Sequence, residues 1–133
     1  MATTDDAPPD TDAAADADAD LAGVVADLRR FVAERDWQQF HDPKNLAMLL
    51  ASEVGELVAE YRWIDGRDAD RCSREEPARG RIADEIGDCG IALLLLCDRI
   101  GVDLVAAMRA KLERNRQRYP AEASRGRATR PDR

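Results

Sequence analysis

The chain has 133 residues, 44% of them apolar and only 5% aromatic, which allows one domain around one modest core. Its formal net charge of −7 resides in the first 20 residues, which hold seven Asp and no base; from Leu21 to Arg116 there are 15 bases against 18 acids. No basic stripe marks a nucleic-acid surface, and the longest uncharged run, Cys89–Cys97, is too short to span a bilayer, so neither nucleic acid nor membrane is expected as a partner.

Residues 1–20 are low-complexity Ala/Asp with two prolines and are expected to form a disordered acidic tail. They lack the charged and apolar regions of a secretory signal. Asp20 is placed to cap a first helix reaching about Arg35, with Leu21, Val24, Val25, Leu28, Phe31 and Val32 as one apolar stripe. After an irregular stretch over 36–43, Asp42-Pro43 signals a second helix extending to about Trp63. A polar loop follows. Ser73 and Glu76 have capping-box spacing, which predicts a third helix from near Ser73 to Ile100, stopped by Gly101. Asp103 begins a fourth helix that ends at Tyr119-Pro120, and residues 121–133 form a basic, flexible tail. No segment alternates with period two. The expected class is all-α, a four-helix bundle over residues 21–120 between two disordered tails. Cys72, Cys89 and Cys97 lack metal-ligand spacing, and reduced thiols in a cytoplasmic protein fit them.

The second helix carries acids where a core face should be. At 100° per residue, Glu53 falls inside the stripe of Leu46, Leu50, Val54, Leu57 and Tyr61, while Glu56 and Glu60 flank it beside Leu49. The third helix repeats the pattern: Glu85 and Asp88 border the face of Ile82, Ile86, Cys89 and Leu93. Each pair, Glu53 with Glu56 and Glu85 with Asp88, has the i, i+3 spacing that turns two side chains to one side of a helix. Carboxylates on a packing face are costly unless something neutralises them. Hard oxygen donors point to magnesium, or manganese, and to chemistry on phosphates. A solvated face, or an ion-pair network with Arg81 or Arg62, explains the same residues without metal. From Cys89 to Cys97 the helix is apolar all round, which calls for packing on several sides, within the fold or against another subunit.

Residues 31–63 combine W-x-x-F-H-x-P-x-N-L, then Glu53-Val-Gly-Glu56-Leu, then Trp63, with Glu85-Ile-Gly-Asp88 downstream. This pattern resembles the MazG-like superfamily of all-α nucleoside-triphosphate pyrophosphohydrolases, in particular its dCTP pyrophosphatase branch, over roughly residues 21–120. The resemblance implies that Glu53, Glu56, Glu85 and Asp88 hold Mg2+ or Mn2+, with Glu53 or Glu56 activating the attacking water. It implies hydrolysis of a nucleoside triphosphate, dCTP or a related or modified dNTP, to monophosphate and pyrophosphate as nucleotide-pool house-cleaning. Trp37 and Trp63 match positions around the base and His41 a substrate-site position; Lys111, Asn115, Arg118 and Tyr119 match a K-x-x-x-N-x-x-R-Y element that reaches the triphosphate. A homodimer or homotetramer is implied as well. Ala92 stands where the branch typically has tyrosine, which opens the pocket and puts strict cytosine selectivity in doubt.

The competing readings are the same core acting on dUTP or phosphoribosyl-ATP, a non-catalytic helical module that binds nucleotide, and a structural dimer whose acids are salt-bridged.

Overall fold

The computed structural model describes residues 11–128, and all of its regular elements are helical. In chain order they are α1 (Thr11–Glu34), a 3-10 turn (Trp37–Phe40), α2 (Pro43–Tyr61), α3 (Ala69–Cys72), α4 (Ala78–Ile100), α5 (Leu104–Arg118) and α6 (Ala121–Ser124). The four long helices are those expected, and so is the all-α class.

Local chemistry sets most of the boundaries. Asp42 accepts the Asn45 backbone N–H at 3.0 Å while Pro43 takes the first helical position, so α2 starts with its donors satisfied. Asp103 caps α5 in the same way, accepting from Ala106 N–H at 2.8 Å. Gly101 adopts the left-handed conformation at φ 69°, and the Val102 N–H reaches back to the Cys97 carbonyl at 2.9 Å, closing α4.

Other boundaries differ from expectation. Helix α1 begins at Thr11 rather than Leu21, so the second half of the Ala/Asp segment is helical. Five alanines between Thr11 and Asp20 favour helix; residues 1–10 and 129–133 lie outside the described residues. Helix α4 begins at Ala78, five residues after Ser73. The Ser73 hydroxyl donates to the Ala69 carbonyl at 2.6 Å and pairs with Tyr61 Oη at 3.0 Å, so it closes α3 onto the end of α2 instead of capping α4. Glu76 supplies the acceptor there, taking the Gly80 N–H at 3.1 Å. The polar loop contains the single turn α3, and the basic tail contains the single turn α6.

The dominant contact is α2 against α4, with α1 laid more thinly on α4. Glu60 of α2 meets Arg81 near the start of α4, and Leu46 near the start of α2 shares a cavity wall with Leu94 and Leu95, so the two helices are antiparallel. Arg29 of α1 clamps to Asp98 of α4 through Nε at 2.9 Å and through Nη2. Buried apolar residues among those described are Val32, Leu46, Ile82, Ala92, Leu94 and Cys97. That core is thin. Met48, Val54, Val58 and Ile86 stay exposed, and α5 buries no residue. Among the described residues no helix is long and apolar enough to cross a membrane.

Leu46 is 1% exposed and sits in the α2–α4 seam. Leu46→Ala is expected to cost about 2–5 kcal/mol, read from the shift in urea midpoint. A loss below about 1 kcal/mol would mean that the seam closes over the gap.

Candidate functional site

The α2 residues that turn inward are Leu46, Leu50, Glu53, Leu57, Glu60 and Tyr61, while Val54 and Val58 face out. Of the α2 acids singled out by helical periodicity, Glu53 and Glu60 thus lie on the packing face, and Glu56 stands exposed at its edge. Across the seam, Ile82, Glu85, Cys89 and Ala92 turn inward from α4. The antiparallel register brings the acids of both helices level, turn by turn.

One level is neutralised and the next is not. Arg81 Nε donates to Glu60 Oε2 at 2.9 Å, with the Glu60 side chain 22% exposed. Glu60 is therefore an ion-pair partner. One turn along, one carboxylate oxygen from each of Glu53, Glu56 and Glu85 lies within 4.8 Å of the others, and no cation among the described residues pairs with them. Glu85 Oε2 is buried without any hydrogen-bond partner. Asp88 belongs to the same electrostatic group, since its charge, with those of Glu56, Glu53 and Glu60, adds to burial in raising the Glu85 pKa. The ionic-network reading thus accounts for Glu60 and leaves the other four acids unexplained. An orphaned carboxylate oxygen facing two more carboxylates fits a hard divalent cation.

The cluster opens onto a cleft of about 480 Å³ between α1, α2 and α4. Glu53 and Asp88 stand on its rim, Phe31 and Trp37 form one wall, Leu49 and Ile91 another, and buried Ala92 lies between. Phe31 and Trp37 meet edge to face, 5.7 Å between centroids. The chain turns back to make that contact through Asp36, whose φ of 55° is left-handed and whose carbonyl and carboxylate both accept from Gln39. Arg35 lies over the Phe31 ring at 3.6 Å and donates to the Phe31 carbonyl. His41, after the 3-10 turn, lines the cleft too.

Of the residues singled out from sequence, the structure brings Glu53, Glu56, Glu85, Asp88, Trp37 and His41 to this one region. It does not bring Trp63, Lys111, Asn115, Arg118 or Tyr119. Trp63 is 90% exposed beyond α2, at the Glu60–Arg81 end of the seam. Lys111 and Asn115 line a shallow groove along α5 with Met108 and Leu112. The Arg118 guanidinium lies 5.7 Å from its neighbour Tyr119's ring centroid. Helix α5 leaves the body after Gly101, so within one chain its polar face does not reach the carboxylates. Phe31 was legible only as core; the signal for its exposed role is that Asp27 and Phe31 share one face of α1, an acid one turn from an aromatic.

Because burial and nearby carboxylates raise the Glu85 pKa, the fold prefers this group protonated. That contribution is fully present below the ordinary carboxyl value of about 4.5 and is lost as pH rises through the raised folded value. In chelator at pH about 7.5, Glu85→Gln is expected to melt above the parent, and the gap to close as pH falls toward about 4.5. A gap independent of pH would contradict the raised value.

No family model matches the chain. It is 40% identical over 109 residues to dCTP pyrophosphatase 1 of Rattus norvegicus and 39% identical over 106 residues to dCTP pyrophosphatase 1 of Homo sapiens. The matches cover 79% and 77% of this chain but only 64% and 62% of those relatives, so the chain spans less than two thirds of their length. A crystal structure of a pyrophosphatase from Archaeoglobus fulgidus superposes with a TM-score of 0.71 at 34% identity, covering 75% of this chain and 92% of that one. With its paired acids facing across one helical seam, the chain belongs to the MazG-like all-α family, in the dCTP pyrophosphatase branch.

Proposed function

We propose that the chain is a divalent-metal-dependent nucleoside-triphosphate pyrophosphohydrolase that converts a deoxynucleoside triphosphate, dCTP or a modified relative, to its monophosphate and pyrophosphate. The observation that carries this reading is the unpaired trio of Glu53, Glu56 and Glu85, with its orphaned buried oxygen, beside an aromatic-walled cleft. The similarity to dCTP pyrophosphatase 1 of two mammals supports the substrate class.

Glu53, Glu56, Glu85 and Asp88 would hold the cations, Mg2+ or Mn2+. Bound there, such ions neutralise phosphate oxygens and lower the pKa of a water. The chain's own part is orientation. Glu53 and Asp88 stand where the cleft meets the cluster, so a triphosphate enters with its charge toward the acids and its base toward Phe31 and Trp37. Glu53 or Glu56 accepts the proton of the attacking water, and attack at the α-phosphorus releases pyrophosphate. Ala92 leaves room beside the base, which favours tolerance of substituted bases over strict cytosine selection.

The working form is a homodimer or homotetramer. Exposed Met48, Val54, Val58 and Ile86 supply apolar surface for a second copy, and a thin core needs it. Assembly is also the route by which Trp63 and the α5 residues Lys111 and Asn115 meet a neighbour's cleft. Removal of surplus or non-standard nucleotides is the role that such an activity serves, and three free thiols suit a reducing compartment.

With magnesium and a panel of dCTP, 5-substituted dCTP, dUTP and dATP, pyrophosphate release is expected for dCTP and its relatives and none in chelator. Glu53→Gln and Asp88→Asn are expected to lower turnover by at least about 10²-fold with helicity unchanged, by circular dichroism. Undiminished turnover in both variants rules out the site, and binding of nucleotide without product favours a non-catalytic module.

A further inference from the structure

Beyond the residues that would hold phosphate and metal, one charged side chain on the cleft wall has no part in the chemistry described above. Asp27 lines the same cleft as Phe31, Trp37 and Glu53, on the α1 face that also presents Val24 and Leu28. Its place along the cleft is fixed by the direction of α1. Leu21 of α1 sits beside Val102 and Asp103, and Arg29 grips Asp98, so α1 is antiparallel to α4. Going from Phe31 to Asp27 therefore leads away from Glu53 and Asp88, past Ala92 toward Leu95. Asp27 lies one turn, about 6 Å along the axis, beyond the aromatic wall.

Phosphates at the carboxylate end and a base against Phe31 and Trp37 leave only the outer edge of the base pointing at Asp27. In cytosine and adenine the substituent farthest from the sugar is an exocyclic amine, a donor. In uracil and thymine it is a carbonyl oxygen. A carboxylate only accepts hydrogen bonds. Asp27 thus matches the amine of cytosine or adenine and disfavours the carbonyl of uracil or thymine; Val24, Leu28 and Leu95 at that end of the cleft are apolar, and His41 is the other polar side chain near them.

We infer that Asp27 is a specificity residue, reading the exocyclic amine of the base and disfavouring bases that place a carbonyl there. This rests on the triphosphate occupying the cleft as proposed above. The existing partner of Asp27 does not prevent it: Arg30, one turn away at 3.5 Å, forms an exposed pair in which both side chains keep more than two thirds of their surface. Such pairs are weak and readily exchanged.

The test is the ratio of kcat/KM for dCTP over dUTP, and for dATP over dTTP, in the parent, Asp27→Asn and Asp27→Ala, with CTP as a sugar control. Asp27→Asn keeps shape and can donate, so the dCTP/dUTP ratio is expected to fall about tenfold, mainly through KM, with dUTP gaining. Asp27→Ala is expected to lower the ratio through loss on dCTP, with a smaller gain on dUTP as the repulsion of its carbonyl is removed. Ratios unchanged within about twofold in both variants overturn the inference while leaving the hydrolase reading intact. A change confined to dCTP over CTP also overturns it, since Asp27 would then serve the sugar. Absence of turnover on every triphosphate in the parent removes the hydrolase reading itself, and Asp27 with it.

Discussion

Along the α2–α4 seam, each turn must answer the same question: what balances a carboxylate turned toward another helix. Glu60 is answered by Arg81. One turn on, Glu56 and Glu53 meet Glu85 with no pairing cation among the described residues, and burial together with four neighbouring acids raises the Glu85 pKa. The contrast is what gives the site its meaning. A single basic residue in place of Glu85 would leave that level with one excess negative charge and a calmer seam. The acid instead leaves a deficit of positive charge, the setting that suits an oxygen-loving cation. Stability is held back at this level and supplied elsewhere, by Leu46, Ile82 and Leu94.

The rest of the cleft is arranged around α4. From its first turn to its last, α4 offers Arg81 to fix the register, Glu85 and Asp88 to the charged centre, Ala92 to the cleft floor and Asp98 to α1. Successive functions are spaced by about one helical turn, so a rigid rod sets their separations. Sites carried on helices keep geometry better than sites on loops, and here only Trp37 and His41 come from irregular chain. Even there the backbone is tied down: the left-handed Asp36 and its Gln39 bonds return Trp37 onto Phe31.

Signals with a local cause were readable from residues alone. Asp42-Pro43, Asp103 and Gly101 act within one turn, and the structure places helix ends at each. The inward position of Glu53 and Glu85 was readable too, because helical periodicity tells which residues share a face. What periodicity does not tell is which partner covers the face. Phe31 fell in an apolar stripe and so read as core, yet it is 44% exposed, covered only by the Arg35 guanidinium and the edge of Trp37. Trp63 and Lys111 matched a substrate pattern, yet within one chain they stand apart from the cleft. Ser73 failed for a subtler reason: its hydroxyl turns back to donate to the Ala69 carbonyl and pair with Tyr61, instead of accepting a backbone N–H ahead of it.

These misplacements have a common direction. The residues that fall short of the site, and the apolar ones left bare, lie on the outer faces of α2 and α4 and along α5, whereas those facing the α2–α4 seam go where expected. A protomer that buries few large side chains while exposing Met48, Val58, Trp63, Met108 and Leu112 has put its surplus apolar surface on the same elements as its unused polar residues. The two shortfalls have one remedy. A second copy that covers the apolar faces also carries an α5 and a Trp63 of its own, so completing the core and completing the substrate pocket become the same event. In the proposed assembly the seam inside one chain would supply the charge, and the contact between chains would supply what grips the nucleotide around it.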